Sequence, residues 1–162
     1  MFNPLEELEQ MANRGNIIAQ IRHALETDAF RLEFQPIISL RGDSAEHYEV
    51  FLRLLNSQGE EIAPLEFQSA ALESGLAMDV DRWLISRAVS LLSQQRSKGS
   101  DTRLLLSLSS ASLQDPEIVK WISSLLKESR LPGDALIFQF NDADANNYLK
   151  HAKVLAEALH SI

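Results

Sequence analysis

The chain has 162 residues, with fifteen Lys plus Arg against twenty-three Asp plus Glu, no cysteine, and a formal charge of −8 at pH 7. That excess of acid disfavours polymeric nucleic acid and anionic membrane surfaces as general partners, and the missing thiols exclude a disulfide framework and thiolate metal sites. With 45% hydrophobic and 23% charged residues the composition is that of an ordinary folded domain. No stretch approaches the roughly 18 apolar residues of a membrane span. The opening Met1-Phe2-Asn3-Pro4-Leu5-Glu6-Glu7 lacks the basic-then-apolar layout of a secretion signal, so a cytoplasmic location without membrane insertion is expected. A single domain of about 150 residues fits the length, whereas a complete eight-unit α/β barrel of about 250 does not.

In chain order, Pro4 to about Asn13 reads as a short acidic helix, with Arg14-Gly15-Asn16 as a break. A second helix then carries Ile17, Ile18, Ile21 and Leu25 near the spacing of one apolar face and closes at Thr27-Asp28. Arg31 to Leu40 is strand-like, and Pro36 inside it argues for an edge position or a bulge. Arg41-Gly42-Asp43-Ser44 turns the chain into a second strand-like run, His47 to Leu55, closed by Asn56-Ser57-Gln58-Gly59. Helices are predicted over Pro64 to Ser74, stopped by Gly75, and over Asp81 to Gln95, ended by Lys98-Gly99. Strand Arg103 to Leu108, helix Pro116 to Ser129, strand Ala135 to Phe140 and helix Ala145 to Leu159 follow. Strand then helix, twice, with short connections predicts βαβ units and a parallel sheet.

In such sheets chemistry sits where the strands end. On the second strand Glu49, Phe51 and Arg53 share one face. They suit a site in which Arg53 binds a phosphate or carboxylate, Phe51 stacks on a planar group and Glu49 holds a cation or accepts hydrogen bonds; taken alone, they more often form a Glu–Arg pair on a solvated face. Gln35 beside Pro36 is open in the same way. Ser107, Ser109, Ser110 and Ser112 read as caps of the following helix, because no Ser-His-Asp or Gly-x-Ser-x-Gly context supports a nucleophile. Asp142 or Asp144 suits a cap of the last helix. His23, His47, His151 and His160 have no paired metal-ligand spacing, the six glycines fit no phosphate-cradling loop, and Trp83 and Trp121 are expected in the core.

Together, Phe34-Gln35-Pro36-Ile37-Ile38, Tyr48-Glu49-Val50-Phe51-Leu52-Arg53-Leu54, Pro64-Leu65-Glu66-Phe67 and Asp81-Arg82-Trp83-Leu84 resemble, in order and spacing, the EAL domain family. Ser107-Leu108-Ser109 and Leu113-Gln114-Asp115-Pro116 extend the likeness, which runs from about residue 17 to the last. The family comprises cyclic di-GMP phosphodiesterases and inactive relatives. The resemblance implies an α/β fold, the first half of a modified TIM barrel whose first strand is antiparallel and whose remaining strands are parallel. Residues 1–15 would be a linker or interdomain helix and 16–162 the N-terminal part of a degenerate EAL domain, with the second half of the barrel lying beyond Ile162. Half a barrel leaves sheet edges open, so the chain is expected either to continue past Ile162 or to pair its edges with another chain.

Carried over residue by residue, Glu49 matches the motif carboxylate in a Glu-Val-Phe variant of Glu-Ala-Leu. Ser107 stands where the family has a metal-binding Asn, and Gln139 where it has a carboxylate. These two are therefore degenerate metal-ligand positions. Losing anionic ligands weakens a hard-cation site disproportionately, so no Mg²⁺ or Mn²⁺ cofactor and no catalytic residue is expected. The resemblance assigns cyclic di-GMP to Gln35, Glu49, Phe51, Leu52, Arg53 and Asp81. This combination is similar to the receptor branch of the family, tied to type IV pilus biogenesis and twitching motility. In that branch the partner is a PilZ-domain protein, and upstream regulatory domains precede the EAL module. A protein-interaction module without nucleotide binding, and a metal-dependent phosphodiesterase, are the competing readings.

Overall fold

A computed structural model describes residues 4–37 and 47–140. The elements are α1 (Pro4–Thr27), β1 (Arg31–Ile37), β2 (His47–Arg53), α2 (Pro64–Glu73), α3 (Ala77–Ser97), β3 (Arg103–Leu108), α4 (Ser110–Leu113), α5 (Ile118–Glu128) and β4 (Leu136–Phe140). The expected turn at Arg41–Ser44 and last helix lie outside the described residues, as do Asp142 and Asp144. Contacts divide the chain into two units, Met1–Leu32 with Leu52–Val80 and Glu33–Phe51 with Asp81–Ile162.

In the first unit the break expected at Gly15 does not occur, and α1 runs unbroken for 24 residues. A glycine inside a helix costs only about 1 kcal/mol against alanine, which neighbouring packing can offset. Here α1 packs on α2, an ion pair joins Arg14 to Glu73, and Ile17, Ile21 and Ala24 are buried. Phe67, Ala70 and Ala71 form the buried face of α2, and the Phe67 ring meets Phe30 with centroids 5.9 Å apart. Pro64 opens α2, where its missing N–H has no intrahelical partner to lose, and Gly75 closes it at φ +76°. Between β2 and α2 the chain folds into a small hairpin. Leu55 bridges antiparallel to Glu61, Ile62 N–H donates to the Leu54 carbonyl at 2.9 Å, and Asn56 Oδ1 accepts from the Gln58 and Glu60 N–H groups.

The second unit carries the sheet, in the order β1-β2-β3-β4. β1 is antiparallel to β2 and the rest are parallel. Pro36 therefore sits on a strand at the end of that order, where its missing N–H breaks no interior ladder. Parallel neighbours need crossovers, which α3 and α5 supply. Leu104, Leu106 and Leu108 alternate into the core, together with Leu84, Ile85, Ala88 and Leu92 of α3 and Ile118, Ile122 and Leu126 of α5. Leu105 and Ser107 consequently face the other side of the sheet. Trp83 and Trp121 are half-buried rather than core, and Trp121 carries the Arg82 guanidinium 5.0 Å above its ring. Among the described residues no helix is long and apolar enough to cross a membrane.

Candidate functional site

The register of the parallel strands decides which polar side chains meet. Glu49 lies opposite Leu105, and two residues further along β3 Ser107 lies opposite Gln139. Period-2 alternation puts Glu49, Ser107 and Gln139 on the face turned away from the leucine core. There Gln139 Nε2 donates to Glu49 Oε1 at 3.0 Å and to Ser107 Oγ at 2.6 Å. The direction of the amide follows from the chemistry. An ionised carboxylate only accepts hydrogen bonds, so the NH₂ and not the carbonyl of Gln139 must face Glu49. The structure thus brings together Glu49, Ser107 and Gln139, and joins them through one neutral amide. Among the described residues no group of three His, Cys, Asp or Glu side chains is placed to hold a metal ion.

A second polar cluster lies just past the same strand end. Asp81, on α3, is 6% exposed, and its Oδ2 accepts from Ser109 N–H at 3.0 Å, Ser109 Oγ at 2.6 Å and Ser112 Oγ at 2.7 Å. Burial pushes its carboxyl up from the ordinary range, against the lowering effect of the serine hydrogen bonds. The next residue, Arg82, bonds Asp115 Oδ2 at 2.8 Å, while Asp115 Oδ1 accepts the Glu117 N–H. Burial opposes ionisation of Asp115 as well, but the Arg82 hydrogen bond and charge and the Glu117 N–H outweigh it and hold that carboxyl below the ordinary range. Two consecutive residues of α3 therefore grip the loop between β3 and α5 at both ends. Ser109 and Ser112 serve this clamp and not the expected cap: Ser109 stands at the start of α4 without a side-chain capping bond.

Of the other singled-out residues, Gln35 is exposed on β1 and Phe51 is half-buried on β2. Leu52 and Arg53 belong to the first unit, where Arg53 pairs with Glu61 at 3.4 Å. Sequence reasoning missed Glu61, Arg82 and Asp115. The Asp115-Pro116 step was a usable signal for the last, since Asp before Pro often starts a turn.

The EAL domain family matches residues 18–162. The cyclic di-GMP phosphodiesterase PdeF of Escherichia coli K12 is 27% identical over 153 residues, covering 94% of this chain and 20% of PdeF. PdeR of the same strain is 33% identical over 108 residues, 67% of this chain and 16% of its own. A crystal structure of the FimX EAL domain superimposes with a TM-score of 0.83 at 54% identity, covering 90% of this chain and 58% of that one. The Pseudomonas aeruginosa FimX EAL domain bound to c-di-GMP gives 0.83 at 52% over the same shares, and the Xanthomonas citri FimX EAL domain in complex with c-di-GMP 0.82 at 29%, covering 94% and 59%. This chain spans 20% or less of those two curated relatives and 58–59% of the solved domains.

Proposed function

This chain belongs to the EAL domain family, and from that premise we propose that it is a non-catalytic receptor module for cyclic di-GMP. The observation that carries the reading is the Gln139 amide, which donates to both Glu49 and Ser107. A small hard dication is held by oxygen ligands, several of them anionic, whose charge offsets the loss of its hydration shell. Here one carboxylate, one hydroxyl and one amide turned nitrogen-first are the three side chains that meet on the parallel strands. Rotating the amide to offer its oxygen would set that oxygen against the lone pairs of Glu49. The trio does not fit a metal ion, and the hydrolysis that metals support in phosphodiesterases has no support from these residues.

Binding does not need the metal. Arg53 suits a phosphate through its planar fork of donors, Phe51 a purine face, and Gln35, Leu52, Glu49 and Asp81 complete the set assigned by family resemblance. Asp81 enters that set with its Oδ2 already committed to Ser109 and Ser112. The likeness to FimX EAL domains bound to c-di-GMP supports the ligand. Coupling of the messenger to type IV pilus biogenesis and twitching motility, through a PilZ-domain protein and upstream regulatory domains, is the finer part of the proposal and rests on the receptor-branch resemblance.

Titration calorimetry of the full natural chain, followed by chromatography of the nucleotide after long incubation with Mg²⁺ or Mn²⁺, tests the reading. Micromolar or tighter binding with intact nucleotide is expected; linearised product would restore the phosphodiesterase reading that PdeF and PdeR favour. Absence of binding would leave a protein-interaction module.

A further inference from the structure

Arg53 is the last residue of β2, and the hairpin that follows returns the chain beside it. The bridge from Leu55 to Glu61 and the Ile62 to Leu54 hydrogen bond fix the backbone of Glu61. Its carboxylate reaches the Arg53 guanidinium at 3.4 Å, with side-chain exposures of 25% for Arg53 and 46% for Glu61. That distance exceeds the roughly 2.7–2.9 Å of a charge-assisted hydrogen bond, so the pair is held by charge and is open to exchange. A carboxylate and a phosphodiester compete for the same planar donors. Glu61 also borders a polar cleft whose lining includes the amides of Asn13, Asn16, Gln20 and Asn56 and a second carboxylate, Glu66; the amide NH₂ groups can donate to a carboxylate that has left the arginine.

We infer that Glu61 is an affinity-setting residue, a built-in competitor that holds Arg53 until a phosphate of the dinucleotide displaces it. The inference rests on the assignment of Arg53 to a ligand phosphate made above. The ligand must break the Arg53–Glu61 pair and approach a second negative charge, so the carboxylate weakens binding without touching the nucleotide. Glu61→Gln keeps the size of the side chain and the backbone bridge and removes only the charge.

Calorimetry with cyclic di-GMP on the full natural chain, its Glu61→Gln and Arg53→Ala variants and the double variant tests this. Glu61→Gln is expected to bind about two- to fivefold tighter at low salt, the range that exposed ion pairs allow. The gain should shrink as salt screens the pair and vanish in the Arg53→Ala background. If Arg53→Ala weakens binding while Glu61→Gln leaves it unchanged or weaker, Glu61 supports the arginine and this inference falls alone. A gain that persists without Arg53 also overturns it, as a general charge effect. If the unaltered chain binds no nucleotide, or Arg53→Ala binds as well as it does, the assignment of Arg53 falls and the inference with it.

Discussion

At the end of β3 the chain sets two carboxylates among serines. Asp81 is nearly sealed from water and takes three hydrogen bonds on one oxygen, from Ser109 and Ser112. Glu49 is half-buried on the open face of the sheet and shares one amide of Gln139 with Ser107. A carboxylate removed from water must recover its solvation from fixed donors, and Asp81 does so with a loop that it thereby locks. A carboxylate left near water retains the freedom to exchange partners. The first arrangement locks a loop and the second stays open to exchange, although their chemical ingredients are the same.

The largest effect that could break this contrast is expected at Asp81. Asp81→Ala leaves two serine hydroxyls and an N–H without their acceptor and should cost about 2–4 kcal/mol in urea unfolding. A loss under about 0.5 kcal/mol would mean that the clamp is ornamental. The pH dependence separates the two carboxyls of the clamp. Asp81 is raised above 3.8 by burial, so its contribution to stability is complete below 3.8 and is lost as pH rises through its folded value. Asp115 is lowered from 3.8, so its contribution is present above 3.8 and is lost as pH falls through its folded value. Urea midpoints measured from about pH 2 to 7 should therefore lose one slope in Asp81→Asn and the opposite slope in Asp115→Asn.

Ser112→Ala comes next. Ser112 is fully buried and its hydroxyl donates to a carboxylate at 2.7 Å, so its loss should cost about 1.5–2 kcal/mol. On the open face, Gln139→Glu is expected to cost about 1 kcal/mol by placing a second carboxylate against Glu49. That variant also sharpens the argument about metal. Its melting temperature should fall and then recover in Mn²⁺, whereas the unaltered chain should not respond to the ion. If the unaltered chain is stabilised by Mn²⁺ as strongly as Gln139→Glu, the claim that the amide disqualifies the site fails.

Much of the fold is legible in the sequence, and the failures have a common cause. β3 was expected over Arg103 to Leu108 and occupies those residues, because leucines alternating into a core leave little choice of register. The resemblance to the EAL family implies Ser107 and Gln139 as a pair of related positions, and parallel pairing sets them opposite each other. The serine caps were misread because local chemistry favours capping, while the partner that claims Ser109 is Asp81, 28 positions away. The helix break at Gly15 was misread for the same reason: the local penalty is small, and the packing on α2 that offsets it is not local. Trp121 read as core because its cation partner, Arg82, lies on another helix. Short-range propensity and periodicity were legible; long-range polar pairing was not.

The smallest prediction is the most direct comparison of the two clusters, since it repeats one chemical change in both. Ser107→Ala removes a hydroxyl that accepts from Gln139 at 2.6 Å, as Ser112→Ala removes one that donates to Asp81. Ser107 is exposed, so water replaces it and the Gln139 amide keeps its bond to Glu49. The cost in unfolding free energy should stay under about 0.5 kcal/mol, against about 1.5–2 for Ser112. Paired urea titrations decide it. Equal losses would mean that the open-face trio is as structural as the clamp, and that its neutral amide reflects packing in the fold and not the discarding of a metal site.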